Sequence, residues 1–526
     1  MVTFNLIEEP WLPCTMLDGT RRSLGLREAL TQAQDIGELG GDSPLETAAL
    51  HRLLLAVLHR NFDIGDSQQW GALWEIRAFD SGVINDYFEK WCGRFDLFDG
   101  ERPFYQVSGL DLTKGGSSAR LFFHQDNNAT LFTHVATAAP PSLTPAESAR
   151  MLVGFMAFDV GGLKTGGPAK AAMLNNGAVV LVKGSNLFQT LMLNLCRYAP
   201  EQGDPWDFNR DHDMPAWERD EETRPEDRNP AGYIDLLTWQ SRRIRLQPET
   251  EREGSTVVKN VVIMKGAQPS SNFGLRDRET MLAFRSNPDA KGQQDPWPVV
   301  TFREDRALWR DSHALMSSTN AESVQPRTLT WLADLALEGI IPYSQIVPVD
   351  VLGLGSTRAK IEFWRHERLP LPLAYLKDKQ LADTLRAVLK LTETTAQDLN
   401  GAMWTMATRM LAANPDRKPK AEDVRSLSDH LGAARAYWSH LEAPFKQLLV
   451  ELPDDKDEEN EYGGVQFSKW KSTLREALWN AFRESTRGME RSIRNLKAVA
   501  LAERSLTAIT RKHLAAHEAG DLNDAA

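Results

Sequence analysis

The last third of the chain carries apolar residues at helical spacing, and this pattern constrains the fold more than any other feature. Steps of three and four separate Val424, Leu427, Leu431, Ala434, Trp438 and Leu441. Such spacing places an apolar stripe along one face of a helix. Similar spacing runs through three further segments, 378–411, 465–486 and 489–516. We therefore expect an all-α four-helix bundle over residues 373–526, with a helical extension of the preceding domain as the alternative.

Residues 1–372 show a mixed pattern instead. Runs rich in β-branched residues, "GAVVLVKG" (177–184) and "STVVKNVVIMKG" (255–266), alternate with helical stretches such as 45–62. Gly, Pro, Asn and Asp interrupt these elements frequently. This segment is therefore expected to form a large, irregular α+β domain whose long loops carry function.

The net charge of −11 does not decide whether the partner is a nucleic acid, because the acidic residues are concentrated in two segments. Residues 201–228 carry a net charge of −7 and residues 451–461 a net charge of −6. Removing these segments, which together carry −13, leaves +2 for the rest of the chain. A basic face elsewhere on the molecule is therefore compatible with the composition.

Several protein classes are excluded by simpler features. No run approaches eighteen uninterrupted apolar residues, and "MVTFNLIEEPWLPC" lacks the basic start of a signal peptide. Cys14, Cys92 and Cys196 are too widely spaced for a CxxC zinc half-site and too few for a disulfide framework. We expect a cytoplasmic protein without a membrane span, a metal or a cofactor.

No catalytic motif stands out. The glycine-rich "GGLKTGGPAK" (161–170) lacks the order of a P-loop, and "LGLGST" (352–357) lacks the order of a nucleophile elbow. The pair His212 and Asp213 offers the start of a metal site, but a solvated acidic loop explains it better. A metal-dependent nuclease or phosphohydrolase using these two residues is the enzymatic alternative.

Three stretches combine residues suited to nucleic acids. "RLFFHQDNN" (120–128) sets adjacent aromatics beside imidazole and amide groups, although the two phenylalanines also suit a core. "GLGSTRAKIEFWRHERL" (353–369) follows a glycine-rich turn with cations, and an exposed basic hairpin is its alternative. The third is a helical face in the last helix, solvated or phosphate-binding, formed by Arg487, Arg491, Arg494 and Lys497.

The order of motifs along the chain resembles the CasA family, the large subunits of Cascade, the type I-E CRISPR surveillance complex. The matching segments, in family order, are "FNLIEEPWLP" (4–13), "ERPFYQ" (101–106), "GGLKTGG" (161–167), "YIDLLTWQSRRIRL" (233–246), "DPWP" (295–298) and "GLGSTRAKIEFWRHER" (353–368). The resemblance covers nearly the whole chain. It implies a subunit without catalytic activity, an α+β domain and a closing four-helix bundle.

The resemblance also implies a function and partners. Such a subunit recognises the protospacer-adjacent motif in double-stranded DNA, promotes duplex opening and R-loop formation, and provides a docking surface for the helicase-nuclease. Its partners are the other Cascade subunits, the CRISPR guide RNA and the target duplex. A purely structural scaffold that never reads DNA is the remaining alternative.

Specific residues follow from the same resemblance. Gly161, Gly162 and Lys164 correspond to the loop at the DNA minor groove. Phe122, Phe123, His124 and Gln125 match the loop near the guide-RNA handle and the target entry. Ser356, Thr357 and Arg358 lie where many members carry a glutamine wedge. Arg276 and Arg278 are candidates for a basic finger on DNA.

Overall fold

The chain divides into two compact units, residues 1–369 and 370–526, whereas the sequence analysis placed the division between 372 and 373. The computed structural model describes residues 2–123, 141–198, 206, 212–220, 227–251, 254–286, 297–316, 323–412, 418–456, 462 and 464–515. No helix in these ranges has the length and apolarity needed to cross a membrane.

The first unit mixes helices and strands, as predicted. Its strands are β1 Leu12–Met16, β2 Arg21–Leu24, β3 Ile36–Leu39, β4 Gly116–Ser117, β5 Gly162–Lys164, β6 Gly167–Ala169, β7 Val179–Val182, β8 Arg242–Thr250, β9 Thr256–Lys265, β10 Phe284–Arg285, β11 Ser323–Val324, β12 Ile346–Thr357 and β13 Lys360–Pro372, the last of which ends three residues beyond the boundary. Its helices are α1 Leu26–Thr31, α2 Pro44–Asn61, α3 Ser67–Ile76, α4 Ser81–Trp91, α5 Pro145–Phe158, α6 Leu187–Asn194, α7 Tyr233–Leu237, α8 Leu275–Arg278 and α9 Arg327–Leu337.

Within the described residues, the strands form five small sheets rather than one large one. Their orders are β2-β1-β3, β13-β12-β7, β4-β9-β8, β10-β11 and β5-β6. Each strand pair whose register is described is antiparallel. The predicted strands at 177–184 and 255–266 are confirmed as β7 and β9. Small sheets of this kind leave many connecting loops at the surface.

Helix α2 lies at the centre of the first unit and confirms the helix predicted at 45–62. Ser43 caps its first turn by accepting the N–H of Glu46, and Pro44 supplies a fixed φ at the first helical position. The helix is buried almost all round, polar residues included. Its buried Arg52 donates to both carboxylate oxygens of Glu279, at 2.6 and 3.1 Å, and so ties the helix to the segment before β10.

The second unit contains five helices in its described part: α10 Lys379–Leu411, α11 Ala421–Leu431, α12 Ala433–Glu451, α13 Gly464–Thr486 and α14 Ile493–His513. Thr392, in the middle of α10, joins three of them. Its hydroxyl accepts the indole N–H of Trp470 on α13 at 2.9 Å, and its carbonyl accepts the hydroxyl of Tyr437 on α12 at 3.1 Å. Helix α14 packs mainly against α10, and two of its three buried residues, Ala498 and Ala502, are small, which suits a close approach of helices.

Two sequence predictions in this unit need correction. The helix expected across 424–441 is interrupted, because Gly432 adopts a left-handed φ of 71° and ends α11. The last helix begins at Ile493 rather than near 489, because the Ser492 hydroxyl accepts the N–H of Asn495 and caps the helix there. Arg487 and Arg491 consequently lie in the connection before α14, so the predicted helical ridge keeps only Arg494 and Lys497.

Two glycines of this unit make a matched test of the Gly432 break. Gly432→Ala is expected to lower the free energy of unfolding by about 1 kcal/mol, because a Cβ disfavours the left-handed conformation. Gly401 is exposed within α10 and has open space at its Cβ position, so its replacement by alanine should have the opposite effect on the free energy of unfolding. Gly401→Ala is expected to raise stability by about 0.5–1 kcal/mol. Denaturant unfolding followed by circular dichroism checks both, and a stabilising Gly432→Ala contradicts the assigned break.

Candidate nucleic-acid interface

The glycine-rich segment forms a short hairpin, here called the glycine hairpin, residues 161–169. Strands β5 and β6 pair from Gly162 opposite Ala169 to Lys164 opposite Gly167. Gly161 and Gly162 both have left-handed φ values, 85° and 86°. A Cβ on Gly161 would lie 2.8 Å from the carbonyl oxygen of Ala169, so the hairpin itself requires glycine there.

A buried ion pair holds the base of the glycine hairpin. Asp159, directly after α5, accepts the Nε–H of the fully buried Arg242 at 2.5 Å and lies 3.0 Å from the Lys164 ammonium. Arg242 also donates to the carbonyl of Lys170 at 2.6 Å, on the other side of the hairpin. The Asp159 carbonyl accepts the N–H of Ala172 at 2.8 Å. Both ends of the hairpin are therefore tied to one carboxylate residue.

Lys164 has a role that the sequence did not indicate. Its ammonium lies between the Asp159 carboxylate and the ring of Phe155, 5.2 Å from the ring centroid, and its side chain is largely buried. The outward surface of the hairpin is formed instead by Leu163, 68% exposed, and by Pro168, its cross-strand neighbour. Residues 162–169 thus present a narrow surface whose exposed side chains are uncharged, and the exposed Lys170 follows directly after β6.

The second predicted element, "GLGSTRAKIEF", folds as the long hairpin β12–β13. Its two turn residues, Arg358 and Ala359, have φ values of 53° and 60°. Positive φ at both central positions is the pattern of a type I′ turn, which normally uses Asn and Gly. Residues with a Cβ are strained in this conformation, and such strain concentrates at functional sites. Thr357 and Arg358 are exposed at this tip.

Residues 171–177 connect the glycine hairpin to the sheet that carries the tip. The hydroxyl of Ser356, next to the tip, donates to the side-chain oxygen of Asn176 at 2.8 Å. Gly353 lets β12 pass close to this connection, because a Cβ there would lie 2.6 Å from the Gly177 carbonyl oxygen. Asn176 was not identified from the sequence, and no local signal marks it, because its partner is 180 residues away.

Only the first part of the predicted aromatic loop lies within the described residues. Phe123 packs on α5, with its ring 6.3 Å from that of Phe155 and nearly parallel to it. Its ring edge would lie 3.1 Å from a Cβ on Gly154, so the contact is close. Phe122 is half-buried, and His124 and Gln125 lie outside the described residues. Phe123 is half-buried as well, so its contact with α5 does not make it a core residue.

The two candidate finger arginines lie on the short helix α8 but differ in their contacts. Arg278 donates to the carbonyl of Phe273 at 2.6 Å and lies over the rings of Phe273 and Trp206. Arg276 pairs with its neighbour Asp277 at 2.9 Å and lies 5.1 Å from the ring of Trp297. Arg278 therefore braces its own loop, and Arg276 is the better placed of the two for an external phosphate.

The enzymatic alternative finds no support in the geometry of Asp213. This buried carboxylate accepts the hydroxyl of Tyr198 and the N–H groups of Ile234 and Asp235, and so caps α7. Burial raises its pKa, which disfavours the charged form that a metal requires. Throughout the described ranges, no three His, Cys, Asp or Glu side chains come together as a metal-ligand set.

The chain resembles proteins of one family along its length. The model of the family described as CRISPR-associated protein Cse1 matches residues 5–481. The CRISPR-associated protein CasA/Cse1 of Thermus thermophilus is 31% identical over 95% of this chain and 96% of its own length. The crystal structure of Cse1 from Acidimicrobium ferrooxidans superposes with a TM-score of 0.81 at 26% identity, covering 98% of this chain and 99% of that one. A chain of a CRISPR RNA-guided surveillance complex, 19% identical, has the same fold with a TM-score of 0.74 over 97% of this chain and all of its own.

The ion pair at the base of the glycine hairpin can be tested with two variants. Asp159→Asn is expected to lower the free energy of unfolding by about 3 kcal/mol or more, because Arg242 then keeps a buried charge without its carboxylate. Lys164→Met should have a smaller effect, since Asp159 still pairs with Arg242. Thermal unfolding and amide hydrogen exchange of residues 161–169 provide the measurements. Equal losses for both variants would show that Arg242 is not the principal partner.

Proposed function

Because the chain belongs to the family of CRISPR-associated protein Cse1, we propose that it is the non-catalytic large subunit of an RNA-guided Cascade complex. In this proposal it recognises the protospacer-adjacent motif in double-stranded DNA and starts duplex opening for the guide RNA. The observation that carries the proposal is the pair of hairpins, one uncharged and one with a strained cationic tip, joined through residues 171–177.

The glycine hairpin is suited to the minor groove. The minor groove of B-DNA is only about 6 Å wide, so a narrow backbone without large polar side chains enters it most closely. Leu163 and Pro168 face outward, and Lys164 is withdrawn towards Asp159. Binding here therefore depends on shape and backbone groups, and we assign to Lys164 the role of holding the hairpin. Minor-groove readout is degenerate, so several adjacent motifs should be tolerated.

The tip of the β12–β13 hairpin is suited to separating the first base pair. Ser356 is fixed by Asn176, whereas Thr357 and Arg358 extend into solvent. A guanidinium stacks on an exposed base and binds a phosphate, which offsets part of the few kcal/mol needed to unstack a base step. We therefore assign the wedge to Arg358, with Arg276 as the supporting phosphate contact.

The proposal includes the other partners of the complex. Phe122, Phe123, His124 and Gln125 remain assigned to the guide-RNA handle and target entry, with Phe123 anchoring that loop on α5. The second unit is proposed to be a four-helix bundle in which α11 and α12 act as one interrupted helix. It is expected to contact the other Cascade subunits and the helicase-nuclease, with Arg494 and Lys497 on its exposed basic face.

A charge on the outward face of the glycine hairpin tests its contact with DNA. Leu163→Asp is expected to weaken binding of the reconstituted complex to motif-bearing duplex by about fivefold, through repulsion from phosphates. The matched control is Leu17→Asp, which changes another exposed leucine, 59% exposed, in the turn between β1 and β2. Equilibrium binding with duplexes that differ only in the adjacent motif gives the readout. If complexes with the two variants bind the motif-bearing duplex with equal affinity, the hairpin does not contact DNA. That result would favour the alternative of a purely structural scaffold.

The strained tip allows stability and function to be separated. Replacing Arg358 and Ala359 together by Asn and Gly should stabilise the chain by about 1–2 kcal/mol, since these residues fit the turn. The same change should slow R-loop formation on an intact duplex by about tenfold, because the stacking cation is lost. A target already mispaired at its first position should be nearly unaffected.

Ala359→Gly alone is the control for this experiment. It relieves strain but keeps Arg358, so it should raise thermal stability without slowing R-loop formation. If the double variant slows paired and mispaired targets equally, Arg358 acts as a phosphate contact and not as a wedge.

A further inference from the structure

The connection between the glycine hairpin and β7, residues 171–177, is held at its first end by helix α5. The Ala172 N–H donates to the Asp159 carbonyl at 2.8 Å, and the Leu174 N–H donates to the Ala157 carbonyl at 3.2 Å. Both acceptors lie at the end of α5, of which Asp159 is the C-cap. The same residue, Asp159, holds the base of the glycine hairpin through its carboxylate. The hairpin and the start of the connection therefore share one support.

The other end of the connection lies against β12. The Gly177 N–H closes a turn onto the Leu174 carbonyl at 2.9 Å. The Gly177 carbonyl oxygen faces Gly353, where a Cβ would lie only 2.6 Å away. Directly afterwards β7 pairs with β12, with Val179 opposite Leu352. The connection thus runs from the support of the glycine hairpin to the strand that ends in the exposed tip.

Asn176 joins this connection to the tip. Its φ is 59°, a left-handed conformation that Asn tolerates better than most residues with a Cβ. Its side-chain oxygen accepts the hydroxyl of Ser356 at 2.8 Å, two residues before Arg358. The contact of Gly177 with Gly353 involves backbone only, so this hydrogen bond can be removed while that contact stays.

The spacing of DNA sets how precisely the tip must be placed. Successive base pairs are about 3.4 Å apart along the axis of the duplex. A tip that moves by about half this spacing lies between two base pairs and favours neither. An O–H···O hydrogen bond is lost once its oxygens are more than about 3.5 Å apart. The bond between Ser356 and Asn176, at 2.8 Å, therefore confines Ser356 to well under one base-pair spacing.

We propose that Asn176 is a positioning residue that sets the base pair at which the duplex first opens, counted from the motif at the glycine hairpin. This inference rests on the proposed function, in which that hairpin contacts the motif and Arg358 is the wedge. Asn176 acts through Ser356 and makes no contact with DNA itself. Without the bond, the tip reaches two neighbouring base pairs and opens the first one more slowly.

Two variants of Ser356 with nearly the same shape test this bond in the assembled complex. Ser356→Thr keeps a hydroxyl donor for Asn176, and Ser356→Val has none. On an intact motif-bearing duplex, Ser356→Val is expected to slow R-loop formation about fivefold, the effect of one lost hydrogen bond. Ser356→Thr should stay within about twofold of the wild-type rate. A duplex that carries the motif but does not match the guide should bind equally to both variants, because the glycine hairpin keeps its support at Asp159.

Asn176→Gly removes the same bond from its other side. Glycine adopts the left-handed φ without strain, so the backbone of the connection keeps its path. This variant should slow R-loop formation as much as Ser356→Val does. The double variant should be no slower than either single one, because both changes remove one shared interaction. If Asn176→Gly does not assemble, the two Ser356 variants decide the question by themselves.

The position of first opening is measured with 2-aminopurine, a base whose fluorescence rises when it leaves the stack. Separate duplexes carry it at the first or at the second target base pair. With the wild-type chain, the first position is expected to open before the second. With Ser356→Val the two positions should open together, because the tip is no longer confined to one base pair. A general loss of stability would slow both positions and keep their order.

Three results would overturn the role of Asn176. The first is an equal rate of R-loop formation with Ser356→Thr and Ser356→Val. The second is a double variant whose loss is the product of the two single losses, which would show that the residues act independently. The third is an unchanged order of opening in Ser356→Val. The proposed function fails by a different result, namely wild-type complexes that bind and open matched duplexes equally well with and without the motif, and the inference falls with it.

Discussion

The buried Asp159 carboxylate is the interaction on which the candidate DNA-binding surface depends. It receives a fully buried arginine from β8 and a lysine from the glycine hairpin, and its own backbone ends α5. A buried charge is tolerated only when it is paired and hydrogen-bonded, so these groups fix one another's positions. The hairpin is consequently a rigid support, and its outward face is left to Leu163, Pro168 and the backbone.

Glycine has two different tasks in this surface. Gly161 adopts a left-handed φ and leaves no room for a Cβ next to the backbone of Ala169. Its replacement would therefore deform the hairpin, whether or not the hairpin binds a ligand. Gly353 lets β12 approach the connection that follows the hairpin. At the tip, by contrast, Arg358 and Ala359 occupy positions with positive φ, which glycine adopts without strain. Keeping an arginine there despite the strain is consistent with a contact made by its side chain.

Local patterns predicted the regular elements well and the contacts between them poorly. The helices at 45–62, 378–411 and 465–486 follow from apolar spacing, which is a local property. The Gly432 break was missed because one glycine does not disturb the apolar period on either side of it. The motifs proposed for the site are local as well, whereas the pairing of Lys164 with Asp159 and the packing of Phe123 are tertiary contacts that no motif indicates. The alternation in "RRIRL" does place Arg242 on the buried face with Ile244 and Leu246, and that signal calls for a buried carboxylate partner.

The neighbouring residues Arg242 and Arg243 show how one strand places two like side chains in different surroundings. Successive side chains of a strand point to opposite faces, so β8 directs Arg242 towards the glycine hairpin and Arg243 towards Met264 on the paired strand. Arg242 is fully buried and donates to the Asp159 carboxylate and to two backbone carbonyls. A buried guanidinium requires such partners, so the position of Arg242 along β8 is what ties this sheet to the base of the hairpin.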